Sequence, residues 1–161
     1  MILHASAAFV KRFKCSVSDA GPWRGAEPGM NRWSCHFVRL GTLPVVVAMH
    51  DATLYALVLR VAGMKTFADF CEGFLLRVAE VWQQHGAAFD PANQTVVVLP
   101  RTDRSQIGSM NDAIMGFRRQ LSRGDSADKL EAISNRTPYK AIGYQFPGEL
   151  LGQLLREPPG D

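Results

Sequence analysis

The sequence predicts an α+β domain in which an antiparallel sheet of four to five strands carries helices packed mainly on one face. Three observations predict it. Residues 33–61 hold three runs rich in aromatic and β-branched residues, split only by Gly41-Thr42-Leu43-Pro44 and Asp51-Ala52, the pattern of an antiparallel meander. Residues 66–85 set Phe67, Phe70, Phe74, Leu75, Val78, Val81 and Trp82 on one broad stripe, the mark of a helix lying on a core. A compact β-branched run at 95–99 then precedes a second helix-like stretch.

In chain order, Ile2-Leu3-His4 opens a strand, and Ser6 has the chemistry of a helix cap ahead of Phe9, Val10 and Phe13. Residues 16–31 carry Gly21, Pro22, Gly25, Pro28 and Gly29, a density of breakers that reads as a long irregular loop. The meander follows. Thr66 and Asp69 make a capping box for the long helix, and Gly86 marks its stop. Asp90-Pro91 interrupts the chain before the 95–99 strand. A helix is expected from Ser109 to about 121, a short one over 127–134, and a last one over 147–156 with Pro147 in its first turn. Residues 1–157 read as one domain, and 158–161 as a frayed tail.

Composition narrows the function. The chain has 161 residues, 47% of them hydrophobic and 20% charged, which suits an ordinary globular domain and excludes a disordered or collagen-like one. Eighteen basic against fifteen acidic residues give a net charge of +3, short of the positive stripe of a dedicated nucleic-acid binder. Cys15, Cys35 and Cys71 form no C-x-x-C pair, so the expected setting is reduced and cytoplasmic. His4, His36, His50 and His85 lack ligand spacing, and no metal site, cofactor or membrane segment is expected. Walker loops, dinucleotide fingerprints and nucleophile elbows are absent from the sequence.

Two constellations remain. In Arg104-Ser105-Gln106-Ile107-Gly108-Ser109-Met110-Asn111-Asp112, a glycine stands just before the expected helix start. One reading makes Ser109 a cap and Asp112 the closing residue of its capping box. The other makes Arg104, Ser105, Gly108, Ser109 and Asn111 a cradle for an anion such as phosphate. The second constellation is His36 with His50, which lie opposite each other in a hairpin closed by a five-residue loop. Paired so, with Arg32, Arg39 or Arg104 stabilising phosphate charge, they would form the acid–base couple of a metal-independent nuclease-like toxin. Separated by a change of register, they are ordinary sheet histidines.

The start Met1-Ile2-Leu3-His4, the Trp33-x-x-His36 strand, the long middle helix and Arg104-Ser105-x-x-Gly108-Ser109-Met110-Asn111-Asp112 resemble a family of small bacterial proteins classed as a domain of unknown function, over about residues 1–120. The resemblance implies one domain and a structural or ligand role for 104–112, and brings no activity. Residues 135–149 are similar to the closing segment of some insertion-sequence transposases, which implies a shared turn–helix solution. The expectation is therefore a non-enzymatic binding or regulatory domain, linked to mobile-element or phage-conflict systems, with a protein or phosphate-bearing partner. Nucleic acid is a further candidate partner at the basic edge of Arg118, Arg119, Arg123 and Lys129. Trp23, Met30 and Trp33 are the candidate anchors for a protein.

Overall fold

Strand β1 (Ile2–Ala5) runs into Ser6, whose hydroxyl accepts the Phe9 N–H and starts helix α1 (Ala7–Phe13). The structure of the protein, a computed structural model, describes residues 1–19 and 31–156. Trp23, Met30 and the expected tail at 158–161 lie outside the described residues. After α1 come strands β2 (Arg32–Leu40), β3 (Leu43–His50) and β4 (Ala56–Arg60), then helix α2 (Phe67–Gln84). Strand β5 (Val97–Pro100) and helices α3 (Arg104–Ser122), α4 (Ala127–Asn135) and α5 (Pro147–Arg156) complete the chain.

The sheet has five strands in the order β4-β3-β2-β1-β5. The expected meander β2-β3-β4 is antiparallel. The sheet as a whole is mixed, however, because β1 pairs parallel to both β2 and β5. The connection through α1 carries the chain back to the end of the sheet where β1 began, so β2 runs parallel to β1.

The helices also lie on both faces rather than mainly on one. One face sets Leu3, Trp33, Val46, Ala48 and Leu57 against Phe9 and Phe13 of α1, Phe70, Phe74, Val78 and Trp82 of α2, and Leu151 of α5. The other sets Val45, Val47 and Met49 against Met110, Ala113, Ile114 and Phe117 of α3 and Leu130 of α4. Val45 to Met49 are all fully buried. An unbroken apolar run of this kind is what a strand covered on both sides requires.

Local chemistry fixes the elements. The Thr66–Asp69 capping box forms as expected, with each side chain accepting the other residue's backbone N–H. Phe9 meets Phe70 edge-on at 4.9 Å, Phe70 stacks on Phe74 at 5.6 Å, and Phe74 meets Trp33 edge-on at 5.5 Å. The β2–β3 turn is only two residues, with Leu40 opposite Leu43 and Gly41 at φ +62°. A glycine takes that left-handed conformation without a Cβ clash. Among the described residues no helix is long and apolar enough to cross a membrane.

Candidate functional site

Strand β4 is an edge strand, and its outer backbone is closed by side chains from α4. Asn135 accepts the Ala56 N–H through Oδ1 at 2.7 Å and donates Nδ2–H to the Ala56 carbonyl at 2.9 Å, standing in for a neighbouring strand. Glu131 accepts the Val58 N–H at 3.1 Å and takes a 2.6 Å ion pair from Arg77 of α2, which also reaches Glu80. Covering an edge in this way removes a template for pairing with another chain.

The latch floors a cleft of about 840 Å³ between α2, α4 and α5. Leu43, Tyr55, Val58 and Phe146 supply apolar wall, while Arg60, Arg77 and Arg136 supply positive charge against Glu131 and Glu149. Helix α5 approaches closely enough that a Cβ on Gly152 would stand 3.0 Å from His85 Nδ1. Burial, then the Glu131 charge, pushes the Tyr55 phenol up to about 12, so it remains a hydrogen-bonding hydroxyl at neutral pH. Burial and the nearby Arg156 hold His85 below its usual value, which favours the neutral ring.

A second concavity, about 260 Å³, opens at the carboxyl ends of β1 and β5. Its walls carry His4, Arg32, Ser34, Asp51, Arg101 and Gln106 among others. Asp51 accepts from Ser34 Oγ at 3.0 Å, and its other oxygen lies 3.5 Å from His4 Nε2. Arg32 Nη2 stands 3.3 Å from the same imidazole nitrogen. Burial raises the Asp51 carboxyl above the usual range, against the pull of His4, Ser34 and Arg32.

The sequence-expected residues fall into three groups. His36 and His50 do not meet: the two-residue turn pairs His36 with Val47 and His50 with Trp33, so their side chains point to opposite faces. His36 hydrogen-bonds Ser6 Oγ at 2.8 Å, and His50, fully buried, bonds Thr53 Oγ1 at 3.0 Å. The acid–base couple is not formed. Arg39 lies exposed near the far end of β2.

The start of α3 is also displaced. Its cap is Asp103, whose Oδ1 accepts the N–H groups of Ser105 and Gln106. Gly108, Ser109 and Asn111 therefore lie inside the helix, with Ser109 buried and Gly108 and Asn111 exposed. Arg104 and Ser105 are exposed in the first turn. Ser109 is not the cap, and Arg104, Ser105, Gly108, Ser109 and Asn111 do not gather around free amides at a helix start, because the cap is Asp103, six residues before Ser109, and its carboxylate accepts the amides of Ser105 and Gln106. Trp33 is fully buried and anchors the core, not a partner. Burial raises the thiols of Cys15, Cys35 and Cys71, the last to about 11, as suits small apolar residues.

Sequence reasoning missed the Asn135–Glu131 latch and the gathering around Asp51. Neither has a local signature, since the partners are 79, 73 and 17 residues apart. No curated protein and no solved structure matches the chain. The model of one family, Domain of unknown function (DUF6933), matches residues 2–150. With nearly the whole chain inside that match, the protein belongs to the DUF6933 family of domains of unknown function.

Proposed function

We propose that the protein is a cytoplasmic, non-enzymatic binding domain that takes a small phosphate-bearing organic molecule in the cleft beside β4. The observation that carries this reading is the cleft's mixed lining. About 840 Å³ lies within the range of small-molecule sites, and Leu43, Tyr55, Val58 and Phe146 line it together with Arg60, Arg77 and Arg136. Such a lining suits a ligand that joins an apolar or planar body to a phosphate.

Regulation has a route through the same floor. A ligand phosphate that draws Arg77 away from Glu131 would loosen the hold of α4 on the β4 edge. The exposed Tyr144, held in a left-handed turn at φ +61°, offers a protein partner an aromatic anchor on the connection leading to α5.

Thermal-shift screening against nucleoside phosphates, sugar phosphates and phosphorylated lipids' soluble headgroups tests the reading. A saturable rise in Tm that Arg136→Gln weakens and Leu43→Glu abolishes is the expected result. A panel with no response, or a response that both substitutions leave intact, overturns it.

A further inference from the structure

The hollow at the carboxyl ends of β1 and β5 stands apart from the β4 cleft, since β1 and β5 lie at the other end of the strand order. Its hydrogen-bonding capacity is unevenly spent. Both carboxylates are engaged from within: Asp51 by Ser34 and His4, and Asp103 by the amides of Ser105 and Gln106. Gln106 also donates to the Asp51 carbonyl, which ties α3 to the rim.

Arg101 is different. It leaves the end of β5 half-buried, and its hydrogen bond is to a thioether, Met110 Sδ, at 3.0 Å. Among the described residues no carboxylate lies within ion-pair distance of it. A guanidinium carries five N–H donors in a planar fork, and a thioether is a weak acceptor. Burial lowers the Arg101 pKa, and no Arg101 nitrogen is among the described buried side-chain atoms that lack a partner, so the rest of its fork is open to solvent and to a ligand.

Arg101 borders the 260 Å³ hollow with Arg32, two guanidinium groups facing the carboxylates of Asp51 and Asp103, and also a shallower groove of about 560 Å³ with Ser6 and the basic Lys11. The placement has a topological cause. Strand β1 passes to α1 on one face of the sheet and β5 passes to α3 on the other, so a crevice opens where the two connections part.

We infer that this crevice binds a compact tetrahedral oxyanion, a phosphate group gripped by the fork of Arg101 with Arg32 beside it. The hollow admits the group itself, and the groove on the other side of Arg101 leaves room for whatever the phosphate is attached to. This site is independent of the β4 cleft and stands or falls separately.

The test is a titration of the full chain with inorganic phosphate, then with glycerol phosphate, at constant ionic strength against chloride, followed by backbone amide shifts. Saturable shifts at Ser34, Thr102 and Gln106 are expected. Arg101→Gln should weaken binding roughly tenfold or more, the loss of one charge-assisted fork. Asp103→Asn, which keeps the cap but removes a negative charge from the rim, should tighten it several-fold. Arg136→Gln in the β4 cleft should leave the shifts unchanged.

Tighter binding of glycerol phosphate assigns the site to a ligand-borne phosphate, and tighter binding of the free ion assigns it to inorganic phosphate. Absence of saturable shifts at these amides overturns the inference. So does wild-type affinity in Arg101→Gln, or in Asp103→Asn if the first variant does not fold. Shifts confined to the β4 cleft would support the proposed function and overturn this site.

Discussion

Replacing Asn135 by alanine removes the side chain that closes the edge of the sheet. Two hydrogen bonds disappear together, the Ala56 N–H to Oδ1 at 2.7 Å and Nδ2–H to the Ala56 carbonyl at 2.9 Å. Ala56 is fully buried, so both its backbone groups lose their partner where water does not already reach. Each orphaned group costs about 1–3 kcal/mol. Asn135 also lines the β4 cleft, so water entering the space left by truncation recovers part of that cost. The expected net loss is about 2–3 kcal/mol, or roughly 5–10 °C in Tm for a domain of this size.

Asn135→Asp refines the same test. The carboxylate still accepts the Ala56 N–H but turns a negative oxygen toward the Ala56 carbonyl, so its folded pKa must rise above the unfolded value of about 3.9. A carboxyl raised on folding costs stability once the pH exceeds its unfolded pKa. The variant should therefore be weak at neutral pH and recover as the pH falls toward 4. Urea unfolding followed by circular dichroism measures both variants, with an unchanged m-value showing that only stability moved. A loss below about 0.5 kcal/mol for the alanine variant would refute the claim that these two bonds hold the edge.

Two further predictions concern α3 and the sheet histidine. Asp103→Ala should cost about 1 kcal/mol because it uncaps α3, whereas Ser109→Ala, inside the helix, should move the urea midpoint very little. Equal effects would mean the helix starts elsewhere. His36 is held below its ordinary 6.5 by burial first and then by the charges of Arg101 and Arg118. Between the two pKa values the unfolded chain binds the proton more readily, so the stability His36 contributes is whole above about 6.5 and drains as the pH falls. His36→Gln should flatten part of that slope, with His85 carrying the same sign, and urea midpoints across the range would read the difference.

What the sequence makes legible are the features set by neighbours a few residues apart. Ser6 capping Phe9, Thr66 boxing Asp69 and the 67–82 stripe all follow from 3.6-residue spacing and local hydrogen bonds. The partners of β1 do not, because parallel pairing is decided by where a crossover lands. The second helical layer was written in Val45–Met49, whose lack of alternation signals burial on both faces, but a short apolar run reads equally as a one-sided strand. At the α3 start the sequence points to Ser109 with Asp112, whereas Asp103 caps the helix. Met110, Ala113, Ile114 and Phe117, which pack against β3, lie inside the helix that starts there, and that packing has no local signature around residue 103. The histidine pair failed on one fact, a two-residue turn where a longer loop was expected.

The two candidate sites share an origin in the backbone. A strand inside a sheet satisfies its N–H and C=O groups with its neighbours, and polar side chains are needed only where that ladder ends. β4 has no strand beyond it, so Asn135 and Glu131 are brought in from α4, and Arg77 is drawn down to Glu131. The carboxyl ends of β1 and β5 have no continuation either, because their connections leave toward opposite faces. Asp103, Gln106 and Ser34 are used there to cap α3 and hold the turn after β3. At the first place the charges close on one another, with Arg77 spent on two glutamates. At the second they do not, since Asp51 and Asp103 are satisfied from within while Arg101 is left with a thioether. Structural need explains the carboxylates at both places, and the Arg101 fork, whose hydrogen bond goes to a thioether, is the group on which the proposed oxyanion site rests.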